Sequence, residues 1–431
     1  MNNPDIISHV WAREILNFRG DPTIEAEVLL SDGSCGRAAV PAGISVGSNE
    51  VGQLLDGDST RFAGKGVLKA VRNVREVIGP VLKGMRASRQ EMIDRKLLEL
   101  DGTSNKSRLG GNAILAVSLA TAQAAAANQK LPLYRYLGGK GPFALPVPAF
   151  DMFTGGSHAQ NSVDFQEYLV IPAGLSSFGE ALEAGVAIFH TLINLLQKRG
   201  GSVQPMGPLA APLRSNQEGV EAIASAIETA GYRLGEQCFI GIDAATSELY
   251  EDGKYVLRCE KRKLTSSELA NLWSEWVDTY PIISIEDPMS EEDWSGWQAL
   301  TRRIGGRVQL VGDDLFTTNP ERVKKGITLG VANAVLIKPN QIGTLSETLE
   351  TIRIANQAGW AAMLSTRSGE TEDTTIADLS VLNGCGQIKT GPPYTKNIIK
   401  HNRLLRIEEE LGDEAKYKGV RAFKNLSRKS S

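Results

Sequence analysis

Charged side chains follow the ends of successive β-branched runs in the second part of the sequence. Acids occur at Asp243, Glu286 and Asp313, with spacings of 43 and 27 residues, and lysines follow at Lys338 and Lys389. Three carboxylates at one place repel one another unless a cation neutralises them, and an oxygen-only ligand set favours Mg²⁺ over zinc. A lysine beside a second lysine and a divalent cation can act as a base, because its ammonium form is disfavoured. The set predicts metal-assisted removal of a proton next to a carboxylate.

Each of these residues also has a simpler interpretation. An acid at the end of a strand often caps the following helix, and a single lysine is more often part of a salt bridge. Charge nevertheless follows seven run ends in succession, because Glu167 borders one run and Arg367 with Ser368 follows another. Helix capping explains one or two such positions but not the whole series, and Arg367 with Ser368 could hold a phosphate.

The runs that position these residues alternate with amphipathic helical segments, which is typical of a parallel α/β architecture. We expect strands at residues 168–171, 239–242, 282–285, 308–311, 334–337, 361–364 and 387–388. We expect helices at residues 180–197, 218–230, 266–279 and 345–358. A (β/α)8 barrel fits best, since the carboxyl ends of its strands meet at one mouth. A doubly wound open sheet is the alternative.

The residues before this region follow a different pattern. Residues 25–30 and 35–40 predict a hairpin around the turn sequence 31–33, and residues 62–100 predict helices. An Ala-rich helix is expected at 111–129, and the proline-rich segment 142–148 is interpreted as a connector between two domains.

Composition excludes several classes of protein. Lys+Arg 47 against Asp+Glu 50 gives a net charge of −3, which argues against a nucleic-acid-wrapping or polybasic membrane-binding protein. No apolar run approaches the roughly 20 residues that cross a bilayer, and we find no signal peptide. The four cysteines are scattered and predict neither a zinc site nor a disulfide framework, so we expect a cytoplasmic protein.

The sequence resembles the enolase family over nearly its whole length. The resemblance is carried by long collinear segments, among them LDGTSNKSRLGGNAILAVSLA (100–120), GGSHAQNSVDFQEY (155–168), SIEDPM (284–289), VGDDLF (311–316), LIKPNQIGTLSET (336–348), TRSGETEDTTIADL (366–379), GQIKTG (386–391) and LLRIEEELG (404–412). It implies an N-terminal α+β capping domain over residues 1–140 and a variant (β/α)8 catalytic barrel over residues 141–431. It also implies a homodimer formed through the N-terminal domain.

The resemblance assigns chemical roles to the charged positions. Asp243, Glu286 and Asp313 would bind Mg²⁺, and Lys338 would take the C2 proton, a pairing of metal and lysine base that is the known pattern of the enolase superfamily. Lys389 would contact the substrate carboxylate and help to keep Lys338 neutral.

Four further positions would contact the substrate. Arg367 and Ser368 would bind its phosphate. His158 and Glu167 would lie near it, with Glu167 close to the leaving hydroxyl.

The loop at residues 41–48 resembles a mobile lid, in which Ser45 would reach a second Mg²⁺ as the lid closes. Without the resemblance, this loop is interpreted as a surface hairpin. Its sequence is PAGISVGS, whereas the family has PSGASTG, so that Ala42, Ile44 and Val46 differ in character from the family residues.

The sequence also departs from the family at the group that assists the leaving hydroxide. The family segment GDEGGYAP contains a glutamate that acts as general acid, and here its position is Gly207, with Met206 in place of the adjacent aspartate. Thr366 stands where the family has a histidine before the phosphate-binding arginine. Loss of a general acid typically costs about 10²–10⁴-fold in rate.

Three functions remain open from the sequence. The first is an enolase that converts 2-phospho-D-glycerate to phosphoenolpyruvate in glycolysis, weakened or using Glu167 as a substitute acid. The second is a diverged dehydratase that acts on a phosphonate or phosphinate analogue, resembling carboxyphosphonoenolpyruvate synthase of phosphinate antibiotic pathways. The third is a non-catalytic binding protein, against which the complete metal and lysine set argues.

Overall fold

The computed structural model describes residues 4–43, 47–156, 163–198, 213–394 and 397–424. Ser45, His158 and Gly207 lie outside the described residues, as do Ile44, Val46 and Met206. None of the described helices is long and apolar enough to span a membrane.

The first part of the chain is a three-stranded antiparallel sheet followed by helices. The strands are β1 (Ile7–Leu16), β2 (Pro22–Leu30) and β3 (Cys35–Ala39), in the order β1-β2-β3. The helices are α1 (Leu68–Arg72), a π-helical segment (Asn73–Ile78), α2 (Gly79–Leu82), α3 (Gln90–Asp101), α4 (Gly111–Asn128) and α5 (Leu133–Gly138). The predicted hairpin and Ala-rich helix are present, whereas β1 was not predicted.

The Ala-rich helix α4 packs closely on the sheet, because its small side chains let the two backbones approach. It is buried nearly all round. The closest approach is at Gly36 on β3, where an ideal Cβ would stand 2.1 Å from the backbone nitrogen of Ala124 and 2.2 Å from the carbonyl oxygen of Ala120. Only glycine fits this position without moving the helix.

The rest of the chain forms a closed barrel of eight strands. The strands from here onward are β4 (Val147–Thr154), β5 (Glu167–Ile171), β6 (Phe239–Asp243), β7 (Tyr250–Glu251), β8 (Lys254–Leu257), β9 (Arg262–Leu264), β10 (Ile282–Glu286), β11 (Gln309–Gly312), β12 (Ala334–Ile337), β13 (Ala361–Ser365) and β14 (Gln387–Lys389). The barrel order is β10-β11-β12-β13-β14-β4-β5-β6, while β7, β8 and β9 form a separate small sheet. The barrel is confirmed, and the alternative of an open doubly wound sheet is wrong.

Helices follow most of the barrel strands. They are α6 (Phe178–Lys198), α7 (Asn216–Thr229), α8 (Ser266–Thr279), α9 (Trp294–Ile304), α10 (Pro320–Leu329), α11 (Pro339–Ile342), α12 (Leu345–Gln357), α13 (Thr375–Ser380) and α14 (Ile398–Leu411). Helix α8 begins at a capping box, in which Thr265 and Glu268 bond reciprocally to each other's backbone N–H.

The barrel departs from an all-parallel arrangement at one strand. Strand β5 runs antiparallel to both of its neighbours, β4 and β6, whereas every other neighbouring pair in the barrel is parallel. The beginning of β5 therefore lies at the same mouth as the ends of the other strands, and Glu167 pairs with Asp243 there.

The barrel interior is built by the alternation of side chains along each strand. An inner cluster contains Val147, Ala149, Leu169, Ile171 and Val311, together with inward residues of the other strands. A reciprocal pair of amide hydrogen bonds joins Gln309 and Gln387 across this interior, each 2.8 Å long. Beyond this packed interior, the next inward-facing residue of each strand lies at the mouth of the barrel.

The close approach at Gly36 makes a stability prediction. We expect Gly36→Ala to destabilise the chain by about 3 kcal/mol, because its methyl group would overlap helix backbone that cannot rotate away. The matched control is Gly52→Ala, whose added Cβ would meet nothing within 4 Å. Urea unfolding of both variants measures the difference, and equal midpoints would contradict the described packing of β3 on α4.

Candidate active site

One charged side chain from each barrel strand reaches the mouth, and we call this set the mouth row. Its members are Asp151 (β4), Glu167 (β5), Asp243 (β6), Glu286 (β10), Asp313 (after β11), Lys338 (after β12), Arg367 (after β13) and Lys389 (β14). All are buried except Glu167 and Lys338, which are half-buried. Seven of the eight positions were predicted from the sequence, and the structure brings these seven together.

Lys389 is at the centre of the acidic part of the row. Its Nζ lies 2.6 Å from Oδ2 of Asp243, 2.9 Å from Oε2 of Glu286 and 2.9 Å from Oε2 of Glu167. Burial acts to lower the pKa of Lys389, but the three carboxylates outweigh it and raise the pKa well above its usual value. Lys389 is therefore an ammonium group that holds three acids together.

Lys338 makes a separate ion pair, with its Nζ 2.5 Å from Oδ2 of Asp313. Burial, Arg367 and Lys389 act to lower the pKa of Lys338, but the Asp313 carboxylate outweighs them and raises it. Lys389 therefore acts in the direction that disfavours the ammonium form of Lys338, but in this arrangement the Asp313 contact stabilises that form more strongly. Lys389 lies on β14, opposite β10 in the barrel order, and reaches Glu286 across the mouth, whereas Lys338 follows β12 and contacts Asp313 after the neighbouring strand β11.

Glu286 combines burial with an incomplete set of hydrogen bonds. Its Oε1 atom is buried and has no hydrogen-bond partner among the described residues, while Oε2 accepts from Lys389. Burial first, and then the Asp243 charge, raise the pKa of Glu286 well above its usual value. A buried carboxylate oxygen without a donor is costly unless it binds a cation or keeps a proton. The unpaired oxygen of Glu286 is thus the atom at this mouth that best fits a hard divalent cation such as Mg²⁺, and Asp243 and Asp313 are the acids beside it that could complete a ligand set.

A second acidic group lies beside this set. Ligand oxygens of Asp287, Asp313 and Asp314 come within 4.8 Å of one another. The two oxygens of Asp287 accept hydrogen bonds from the backbone N–H groups of Asp313 and Asp314, each at 2.9 Å. Asp287 therefore braces the loop that carries Asp313, and its two oxygens are already engaged as hydrogen-bond acceptors. Burial and the neighbouring Asp313 charge raise the pKa of Asp314 to about 8.

Arg367 is held by a segment of the N-terminal part of the chain. Its Nη1 lies 2.9 Å from Oε2 of Glu50 and 3.3 Å from Oδ1 of Asn340. The side chains of Arg367 and Glu50 are each only 4% exposed, so the ion pair is buried. A Cβ on Gly43 would stand 1.8 Å from Nη2 of Arg367, so the backbone of Gly43 lies directly against the guanidinium.

The loop that carries Arg367 is anchored by Glu370, which is itself paired with Lys400. The backbone N–H of Arg367 donates to Oε1 of Glu370, and Oε2 of Glu370 is 2.7 Å from the fully buried Nζ of Lys400. Ser368 follows Arg367 in the same loop. Thr366, which stands in place of the family histidine, donates its backbone N–H to the carbonyl oxygen of Lys389 at 3.0 Å.

Several residues of this site were missed by the sequence analysis. Asp151 was missed because its strand was interpreted as part of a proline-rich connector, although the inward alternation Val147, Ala149, Asp151 could have indicated it. Glu50 and Gln341 were missed because their partners are distant in sequence. Gln341 donates to Oδ1 of Asp313 at 2.8 Å.

Comparison with known protein families gives two matches. A family model described as the N-terminal domain of enolase matches residues 7–137. A second family model, described as the C-terminal TIM barrel domain of enolase, matches residues 142–426. Together they cover nearly all of the chain.

The buried Glu50–Arg367 pair predicts how the loop is anchored. We expect Glu50→Gln to speed hydrogen–deuterium exchange across residues 47–54, because an amide holds a buried guanidinium far less strongly than a carboxylate does. Glu350→Gln is the control, since the Glu350–Arg353 pair is exposed on α12 and contributes little. Unchanged protection of residues 47–54 in Glu50→Gln would show that this pair does not hold the loop.

Proposed function

Because this chain belongs to the enolase family, we propose that it is a Mg²⁺-dependent hydro-lyase that converts 2-phospho-D-glycerate to phosphoenolpyruvate and water. Family membership makes the chain a lyase of the enolase superfamily, and members of that family typically use Mg²⁺. The observation that carries the specific proposal is the pairing of two lysines with the strand-end acids at one barrel mouth. Removal of a proton from carbon requires a base and a cation that stabilises the resulting negative charge, and the lysines and the acids are the residues proposed to supply the base and to hold the cation.

Asp243, Glu286 and Asp313 are the proposed ligands of Mg²⁺, through oxygens that point into the mouth. Bound there, the ion would supply positive charge where the enolate form of the substrate develops negative charge. Lys389 is already surrounded by carboxylates, and it is proposed to turn part of its hydrogen-bonding capacity to the carboxylate of the substrate.

Lys338 is the proposed base for the C2 proton. Its ammonium form is stabilised by the Asp313 carboxylate. When the oxygens of Asp313 are engaged as ligands, they stabilise that ammonium less, and Lys338 becomes able to accept a proton.

Arg367 and Ser368 are the proposed phosphate-binding residues, at the end of the mouth opposite Glu167. An arginine offers five N–H donors in a planar fork, so Arg367 can contact a phosphate while one donor still bonds to Glu50. The same phosphate would be placed next to the loop at 41–48, for which we keep the proposal of a lid that brings Ser45 to a second Mg²⁺. His158 keeps its proposed place near the substrate.

The weak point of an enolase reaction here is the departure of hydroxide. Gly207 stands where the family has its general acid, and Glu167 is the proposed substitute because it is half-buried beside Lys389. The loss at Gly207 is also the observation that favours the second candidate function, a dehydratase for a phosphonate or phosphinate analogue of phosphoglycerate. An acidic group on such a substrate would replace the missing side chain.

We also propose a cytoplasmic homodimer. All four cysteines are free thiols, which suits a reducing compartment. Leu16, at the end of the edge strand β1, and Phe18 just after it are exposed apolar side chains, and they support an interface there. Analytical ultracentrifugation measures the oligomeric state.

The proposed reaction is tested directly with purified chain, Mg²⁺ and 2-phosphoglycerate. Formation of the enol product is followed by ultraviolet absorbance, and exchange of the C2 hydrogen with solvent deuterium is followed in parallel. Dehydration supports the enolase function. Exchange without dehydration supports the second candidate, because proton removal works while hydroxide departure fails. Neither activity, with no effect of Mg²⁺ on stability, would leave only a binding protein.

Lys338→Ala makes the sharpest prediction about proton removal. We expect it to abolish C2 exchange, since methyl replaces the only proposed base, and to leave the thermal midpoint within a few degrees of the parent. The control is Lys324→Ala, which removes an exposed lysine paired with Glu321 on α10. Exchange that persists in Lys338→Ala would exclude this lysine as the base.

Gly207→Glu tests the assignment of the missing acid. We expect it to raise the rate of dehydration by about tenfold or more, because a general acid typically contributes 10²–10⁴-fold. The rate of C2 exchange should change little, since Lys338 is untouched. A slow dehydration that Gly207→Glu leaves unchanged would contradict the alignment that places the acid at this position.

A further inference from the structure

Asp151 is the member of the mouth row that the proposed reaction does not use. It lies on β4, two residues beyond Ala149, which pairs with Lys389 on the neighbouring strand β14. Val147 and Ala149 pack in the barrel interior, so Asp151 is the next inward position and faces the mouth. The charges that act on it most strongly belong to Glu167, Lys389 and Asp243.

The carboxyl group of Asp151 is buried and only half satisfied. Asp151 is only 7% exposed. Oδ2 accepts a hydrogen bond from Oγ1 of Thr154 at 3.0 Å, whereas Oδ1 has no hydrogen-bond partner among the described residues. Buried polar atoms are nearly always paired, and an exception at a site edge indicates a group that a ligand satisfies.

The position of Asp151 along the mouth indicates which part of a ligand it would meet. Its charged neighbours are Glu167 and Lys389, which lie at the carboxylate and leaving-group end of the proposed substrate. Arg367, the proposed phosphate-binding residue, follows β13, which is separated from β4 by β14 in the barrel order. Asp151 therefore lies on the β5 side of the strand that carries Lys389, and Arg367 lies on the other side.

We propose that Asp151 is a substrate-specificity residue, whose Oδ1 forms a hydrogen bond with the substituent that the substrate carries on C3, beside Glu167 and Lys389. The ligand class is a phosphorylated or phosphonylated three-carbon acid with a hydroxyl or acidic group on that carbon. The inference rests on the proposed function, and it adds to it the group that selects for a hydrogen-bonding substituent. A site built to bond such a group rejects an analogue without it, because the buried carboxyl is then left unpaired.

The test compares two ligands by titration calorimetry with Mg²⁺ present. The ligands are 2-phospho-D-glycerate and its analogue in which hydrogen replaces the C3 hydroxyl. All proteins carry Lys338→Ala, which blocks turnover. We expect the parent to bind the hydroxyl ligand roughly tenfold more tightly than the analogue. Asp151→Ala should reduce this preference to less than about twofold by weakening only the hydroxyl ligand.

Three further variants serve as controls for Asp151→Ala. Asp151→Val keeps a side chain of similar size with high strand propensity, and it should lose the preference in the same way if Asp151→Ala folds poorly. Asp151→Asn retains a hydrogen-bonding amide and should keep most of the preference. Asp94→Ala is the matched control, since Asp94 is an equally buried carboxyl, bonded by Ser118 and Ser346, outside the mouth row.

The outcomes separate this inference from the proposed function. If the parent with Mg²⁺ binds neither ligand, the proposed function fails and the role of Asp151 fails with it. If the parent binds both ligands equally, or if Asp151→Ala weakens both to the same extent, the specificity role is overturned while the proposed function stands.

Discussion

The structure depends on how a closed barrel accommodates buried charge at one mouth. The mouth row carries five carboxyl groups and three basic groups, so that full ionisation would leave two uncompensated negative charges in a largely buried site. Buried like charges raise one another's pKa, and Glu286 and Asp151 both show this effect on top of burial. Glu50, which pairs with Arg367, adds one more carboxyl group beside the row, and bound protons or a cation can balance this excess of acid. The charge of the row is thus itself an argument for the metal that the oxygen ligands suit.

The reversed direction of strand β5 brings one of these carboxyl groups, Glu167, to the mouth. A parallel β5 would present its last residue, Ile171, at the mouth and would carry Glu167 to the opposite end of the barrel. Because β5 is antiparallel to β4 and β6, Glu167 pairs with Asp243 and reaches Lys389. Lys389 is then surrounded by acids from three strands, two of them parallel to its own. Glu167 therefore lies at the mouth only because β5 runs antiparallel to its neighbours.

Much of the barrel could be predicted because its strands are short β-branched runs followed by charged residues, and period-2 alternation decides which residues face inward. Strand β4 was not recognised, although its alternation could have indicated it, because Pro148 lies within it and prolines are rare inside central strands. Asp151, which lies on β4, was missed for the same reason. The Glu50–Arg367 contact was beyond sequence reasoning, because it joins residues 317 positions apart. The protonation of Lys338 also depends on a distance to Asp313 that spacing along the chain does not fix.

Arg367 links the site to the N-terminal part of the chain through a single guanidinium. Glu50 pairs with it, Gly43 passes against it, and Ala42 exchanges backbone hydrogen bonds with Gly369, two residues further along. Any anion that binds Arg367 must share its donors with Glu50, so we expect anion binding to be coupled to the contacts that Ala42, Gly43 and Glu50 make here. The coupling acts in both directions, since a loop held firmly by Glu50 also holds the guanidinium in place. A larger residue at position 43 would require the guanidinium or the backbone of residue 43 to shift, because a Cβ there would stand 1.8 Å from Nη2 of Arg367.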